Sequence, residues 1–286
     1  MMYATLPLSF INKDNERFKL IESLGLWPEI YFEGNWYDYS KDQYLSMARL
    51  VKERFPQTGA HLPYQGLDFW RGETFPKALE RFLIAVDYAL LFNPKHFVAH
   101  PNYKSLTDSI LGQKKYAGFT RDNLNGPAQT PSKIWVERSL MVWSAVLNSS
   151  DARLFLENTQ QHSPKAILTL LDSLGPRSGF CLDLGHWFYY AMGHHWRNLD
   201  FWLDETAPKL AHLHVHDNNG DGDQHLAIGH GLIDYDLVRT LLAERGLKPS
   251  MTLENHFSND LKTSFDILTR HPLWVSDDDH QSQKVS

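Results

Sequence analysis

Leu210-Ala211-His212-Leu213-His214-Val215-His216-Asp217 is a short, mostly apolar run that ends in imidazoles and a carboxylate. It is too short for a helix of ordinary length and has the make-up of a strand buried on both faces. By strand alternation His214 and His216 share one side. Just beyond it, Asp223-Gln224-His225 adds two more residues of the same kind.

Seven further runs resemble it. Strands are expected at 3–8, 28–33, 58–62, 96–100, 153–157, 179–183, 210–215 and 250–254. Amphipathic segments lie between them: 13–24, 41–54, 75–92, 133–147, 164–174, 200–207, 235–245 and 260–269. In the third of these, Leu79, Phe82, Leu83, Val86 and Leu90 recur at helical spacing. Pro164 suits a first helical turn after a Ser163 cap. Asp234 is placed to cap the helix at 235–245, and Gly246 and Pro249 punctuate the link after it.

Eight strand–helix alternations predict an α/β protein, a single (β/α)8 TIM barrel. The competing fold, an open doubly wound sheet, usually carries a glycine-rich turn after its first strand. Here that turn reads Ser9-Phe10-Ile11-Asn12, without glycine. Residues 1–274 are assigned to the barrel. The polar segment 275–286 is expected to be a disordered tail. Residues 102–132 form an expected long loop on the active face, a candidate lid.

The bulk composition agrees. The chain has 286 residues, 42% hydrophobic and 22% charged, enough for a large core. Its net charge of -6 gives no general attraction to nucleic acid or an anionic membrane. The one cysteine, Cys181, fits a reducing cytoplasm and is read as a core thiol. No signal peptide or membrane span is expected.

The polar residues fall at strand ends. Six consecutive strands close with His61, His100, Glu157, Asp183 and His186, His214, and Glu254, and the loop after the seventh adds Asp223 and His225. On this fold the C-terminal ends of the strands are the catalytic end. Four clustered carboxylates repel one another and are costly to desolvate unless cations neutralise them. Imidazole with carboxylate suits zinc, manganese or iron better than calcium or magnesium. A closed structural site would need about four ligands rather than nine.

Taken together, these motifs resemble the xylose isomerase-like barrel superfamily, which includes sugar isomerases and epimerases and the endonuclease IV enzymes (AP endonuclease family 2). The resemblance rests on Leu156-Glu157-Asn158, Cys181-Leu182-Asp183-Leu184-Gly185-His186, the stretch from Leu210 to Asp234, and Leu253-Glu254-Asn255. In the epimerase branch it implies one metal held by Glu157, Asp183, His214 and Glu254, with the two glutamates as acid and base. In the endonuclease IV branch it implies three zinc ions on all nine positions, with Tyr64 alongside.

Two readings follow. A multinuclear metal phosphoester hydrolase, with two or three zinc ions (manganese or iron as alternatives), uses every ligand. Clustered metals activate water and stabilise both oxygens of a phosphoryl transfer. A single-metal sugar or sugar-phosphate isomerase or epimerase would use Glu157 and Glu254. Asp223 with His225 discriminates between them. DNA cleavage is the narrowest reading, because the first two strand–helix loops carry no arginine. A small phosphorylated or sugar-containing substrate is expected. Some members of the superfamily hydrolyse the nucleotide loop of cobamides, and the aromatic loop Trp36-Tyr37-Asp38-Tyr39 would suit such a ligand. Tyr64, His216, His230, Trp36, Lys114 and Arg121 are the expected substrate-binding residues.

Overall fold

A computed structural model describes residues 1–64, 73–101, 133–159, 164–191 and 195–270, and the side chains of all of these except 190, 191 and 195–198. Eight parallel strands close into one barrel in chain order. They are β1 (Met2–Pro7), β2 (Trp27–Tyr31), β3 (Gly59–His61), β4 (His96–Ala99), β5 (Arg153–Glu157), β6 (Ser178–Asp183), β7 (Leu210–Val215) and β8 (Ser250–Leu253). β1 pairs with both β2 and β8, which closes the ring.

The helices among the described residues are α1 (Glu16–Ser23), α2 (Lys41–Arg54), α3 (Phe75–Leu90), α4 (Lys133–Ser149), α5 (Lys165–Leu174), α6 (Leu184–Ala191), α7 (His195–Thr206), α8 (Tyr235–Glu244) and α9 (Ser258–Thr269). Several of their starts are marked by a side-chain cap. Asn15 accepts from the Arg17 and Phe18 amides, Ser40 and Gln43 form a capping box, and Asp234 accepts from the Leu237 amide. Gly175 (φ 83°) follows α5 and Gly246 (φ 62°) follows α8.

Three expectations need correction. Pro164 is the N-cap of α5, not its first helical residue; Ser163 lies outside the described residues. The helix expected at 200–207 begins at His195. The sequence reading has no counterpart to α6, which starts directly at the end of β6 with no intervening loop. The candidate lid at 102–132 and the tail lie outside the described residues.

Alternation along the strands separates two interiors. Outward-facing Ala60, Phe97, Ala99, Leu154, Leu156, Phe180, Leu182, Leu213, Val215 and Leu253 pack with the helices in one large core. Inside the barrel the apolar content is small: Val98, Phe155 and Cys181 form a separate cluster. The same inward columns continue into polar residues, from Phe155 to Glu157, from Cys181 to Asp183, and along His212, His214 and His216. Glu29, Glu157, Asp183, His212, His214, His216 and Thr252 are all fully buried there. TIM-barrel interiors are ordinarily filled by branched apolar side chains, and this polar filling departs from that pattern.

Candidate metal centre

The β5 and β6 ends are tied together first. Asn158 Nδ2 donates to the Asp183 carbonyl at 3.0 Å, and the Asp183 amide donates to Asn158 Oδ1 at 2.7 Å. Asp183 Oδ1 also accepts the His186 amide at 2.5 Å, capping α6. This short helix carries His186 back over the barrel mouth. Gly185 in its first turn leaves room for the His216 ring: a Cβ there would lie 1.9 Å from His216 Cε1, and the ring would have to shift.

The loop after β7 is held just as firmly. Buried Asp217 accepts backbone amides from Asn218, Gly229 and Ile233 at 2.9–3.0 Å. Asp217 and Leu226 also pair as an isolated bridge. This fold of the loop presents Asp223 and His225 to the mouth. His225 adopts φ 52° and its ring is held by the Glu254 carbonyl at 2.5 Å. A non-glycine residue in the left-handed region is strained, and such strain clusters at functional sites.

All nine expected ligands meet in one continuous cluster. Glu157 Oε2 lies 3.1 Å from His61 Nε2, 3.4 Å from His100 Nε2 and 3.3 Å from His214 Nδ1. His214 Nδ1 is 3.0 Å from Glu254 Oε2 and 3.8 Å from Asp183 Oδ2. His186 reaches Glu157 Oε1 at 3.0 Å and Asp223 Oδ2 at 3.1 Å. His225 Nε2 closes the set, 3.3 Å from Asp223 Oδ2.

These residues fit divalent metal ions. Among the described residues, Glu157 Oε1, His214 Nδ1 and Glu254 Oε2 are buried and make no well-aligned hydrogen bond, although each lies 3.0 Å from another member of the cluster. Orphaned buried polar atoms are costly, and here they are all metal-ligating atoms facing one another. Three-residue groups with ligand spacing recur through the cluster, including His61–His214–Glu254, His61–His100–Glu157 and His216–Asp223–His225.

Electrostatics in the metal-free chain follow from this crowding. Burial disfavours charge on His61, His186, His214, His225, Glu157, Asp223 and Glu254, and neighbouring opposite charges and hydrogen bonds overcome it. Burial opposes a proton on His225, yet the hydrogen bond to Asp223 and the charges of Glu254, Asp223 and Asp183 raise it to about 9. His186 and His214 are also raised against burial, His186 chiefly by Asp183 and Asp223, His214 by the carboxylates of Glu254, Glu157 and Glu29. Burial would raise Glu157 and Glu254; His100 and His214 hold the first down, and His214 with His225 the second. His100 goes the other way, lowered by burial.

The expected substrate-binding residues divide. Tyr64 stacks on His100, centroids 4.4 Å apart and 19° from parallel, so it borders the cluster. His216 Nε2 lies 3.3 Å from Asp183 Oδ2. Trp36 is a correction: it is 4% exposed and belongs to the helix-side core. The ring that loop exposes is Tyr37, with the Arg81 guanidinium 4.0 Å from its centre. His230 is exposed, its amide bonded to the Ala227 carbonyl. Lys114 and Arg121 lie outside the described residues. Cys181 is buried and its thiol is pushed up by burial, as a core thiol should be.

Two groups escaped the sequence reading. His256 stacks on His225 at 4.1 Å, and His225 on His216 at 3.9 Å. Beneath the cluster, a second polar layer of Glu29, His96, His212 and Thr252 fills the barrel. Burial pushes His212 down to about 3. The signal for this layer was a charged residue, Glu29, in the middle of a strand with both faces covered.

Comparison with known proteins places this architecture. Residues 18–271 match the family model described as xylose isomerase-like TIM barrel, and the chain belongs to that family. Among solved structures it is similar to a D-tagatose 3-epimerase-like protein (19% identity, TM-score 0.69, 94% of this chain and 96% of that one). It is also similar to the TTHB071 protein from Thermus thermophilus, soaked with ZnCl2 (23% identity, TM-score 0.68, 94% and 96%). A third is a D-psicose 3-epimerase from Clostridium cellulolyticum with D-tagatose (12% identity, TM-score 0.61, 99% and 96%). At these identities the likeness is one of fold. Among curated proteins it is similar to two from Methanocaldococcus jannaschii, the uncharacterized proteins MJ1614 (32% identical over 99 residues, 35% of this chain) and MJ1311 (27% over 124 residues, 43% of this chain). The matches span 36% and 41% of those relatives' lengths. No helix among the described residues is long and apolar enough to cross a membrane.

Proposed function

We propose that this chain is a metal-dependent phosphoester hydrolase acting on a small phosphorylated or sugar-containing molecule. The observation that carries this reading is the continuity of the ligand set. Asp223 and His225 are joined to the deep carboxylates through His186, at 3.0 and 3.1 Å. One metal ion would occupy about four ligands and leave this second half unused. Zinc, two or three ions, suits the mixture of imidazole and carboxylate, with manganese or iron as alternatives.

Glu157, Asp183, His214 and Glu254 would hold an ion deep in the barrel. His186, Asp223 and His225 would hold ligand positions nearer the loop, and His61 and His100 those beside β3 and β4. When bound, such ions activate water and neutralise the phosphoryl oxygens. The chain's own residues fix the ligands, border the mouth with Tyr64, and keep the deep carboxylates out of bulk water.

A second reading has its own observation. Glu157 and Glu254 approach His214 Nδ1 at 3.3 and 3.0 Å. A single-metal ketose epimerase would use such a pair to remove and return a proton on opposite faces of its substrate. The names of several structural neighbours favour this reading. Metal analysis of protein purified without chelator separates the two. Two or three ions per chain, with hydrolysis of phosphodiesters, cobamides included, supports the hydrolase. One ion per chain, with epimerisation of ketoses or their phosphates, replaces it.

A further inference from the structure

Glu29 lies at the centre of β2, in register with Thr5 on one side and Gly59 on the other, and is fully buried. Its two oxygens serve two layers. Oε1 accepts from His214 Nε2 at 3.0 Å. Oε2 accepts from His96 Nε2 at 2.9 Å and from Thr252 Oγ1 at 2.9 Å. His212 Nε2 sits 2.8 Å from Thr252 Oγ1, and its Nδ1 sits 2.7 Å from Ser250 Oγ.

By spacing alone Glu29, His96 and His212 could hold a metal ion. The hydrogen bonds argue against it. No side-chain oxygen or nitrogen of Glu29, His212 or Thr252 is left without a partner, whereas the layer above contains several such atoms. The lower layer is complete in itself, and the upper one is complete only with cations. Space for it is built in: a Cβ on Gly59 would lie 2.5 Å from His96 Nε2.

A carboxylate can only accept, so the contact with Glu29 requires a hydrogen on His214 Nε2. In the neutral ring Nδ1 is then a bare lone pair, and Nδ1 is the atom that faces Glu254, Glu157 and Asp183. We propose that Glu29 is the positioning residue of the metal centre: it holds His214 in the Nε2–H form, aims Nδ1 at the metal, and strengthens that nitrogen as a ligand. His96 and Thr252 hold Glu29 in place for this task. Carboxylate partners behind metal-ligating histidines act in this way elsewhere, and their loss costs roughly 10–100-fold in metal affinity. The inference rests on the metal-centre reading above.

The test is titration of chelator-stripped wild type and Glu29→Gln with Zn2+ and Mn2+ by calorimetry, with circular dichroism on both proteins. The amide keeps the shape but removes the charge. The expected result is a native spectrum with metal binding weakened roughly 10–100-fold. Unchanged affinity in Glu29→Gln overturns the role of Glu29 and leaves the metal centre standing. Failure of the wild type to bind either metal overturns the metal centre, and the proposal with it. A second measurement needs no variant: 15N spectra of His214 in the Zn2+-loaded wild type. Metal on Nδ1 with a hydrogen on Nε2 supports the proposal, and the reverse arrangement overturns it even where Glu29→Gln does not fold.

Discussion

The Nε2 atom of His186 lies 3.1 Å from Asp223 Oδ2, and this contact joins the deep carboxylates to the loop after β7. Replacing Asp223 and His225 together with alanine should therefore remove the outer half of the cluster without touching the barrel. The expected outcome is a loss of one or two metal ions per chain and a fall of roughly 100-fold or more in phosphoesterase turnover, on the order expected when metal activation of water is lost. Elemental analysis with a phosphodiester assay checks it. A variant that keeps one ion and epimerises ketoses as fast as the wild type supports the epimerase instead.

Glu157 touches His61, His100, His186 and His214 at once. Glu157→Gln should cut both metal binding and turnover severely, as should changes at Asp183 or Glu254. Intact turnover in Glu157→Gln would show that the site has been assigned to the wrong residues.

The protonated imidazoles imply a pH dependence with a definite sign. His225 is raised from its ordinary value of 6.5 to about 9. In the metal-free chain its proton contributes stability that is fully present below about 6.5 and is lost as pH rises through about 9. Metal binding needs the neutral ring and releases that proton, so affinity should rise over the same window. Melting temperatures of stripped and Zn2+-loaded protein should diverge steadily across that window, from about pH 6.5 to about pH 9. A gap that narrows over that range would contradict the assignment.

Gly185 lies against the ring of His216, where a Cβ would overlap it. Gly185→Ala should destabilise the protein by about 1–3 kcal/mol, the usual cost of overpacking. It should also weaken metal binding, because the ring it displaces lies 3.3 Å from Asp183 Oδ2. Denaturant unfolding and metal titration on the same sample test both effects.

Trp36 and Tyr37 are neighbours with opposite fates, one 4% and the other 54% exposed. Trp36→Ala should cost about 3–5 kcal/mol, as large-to-small core changes do. Tyr37→Ala, which removes an exposed cation–π contact with Arg81, should cost no more than about 1 kcal/mol. If the loop after β2 contacts substrate, only the Tyr37 variant should raise KM while the fold is kept.

Much of this protein was legible in the order of its residues. The eight strand–helix alternations predicted the closed parallel barrel, and every strand but β2 lies within one residue of its expected bounds at both ends. The nine clustered imidazoles and carboxylates were legible because each stands at or just past a strand end, and on this fold those ends converge. Asp183-Leu184-Gly185-His186 carried an unused signal, a capping aspartate three residues before the amide it bonds, which would have announced α6.

What only the tertiary structure decided was depth and pairing. Trp36 and Tyr37 are adjacent in sequence, and nothing local says which ring turns inward; the helix-side core that takes the Trp36 ring, and the Tyr44 hydroxyl of α2 that bonds the Trp36 carbonyl, do. Glu29 reads as one charge in an apolar strand until barrel closure brings β2, β4, β7 and β8 around it, so that His96, His214 and Thr252 meet its two oxygens. Local sequence determines strand, helix and turn because backbone preference and periodicity act over a few residues. The partners of a buried charge lie up to 223 residues away along the chain, and only the closed barrel selects them.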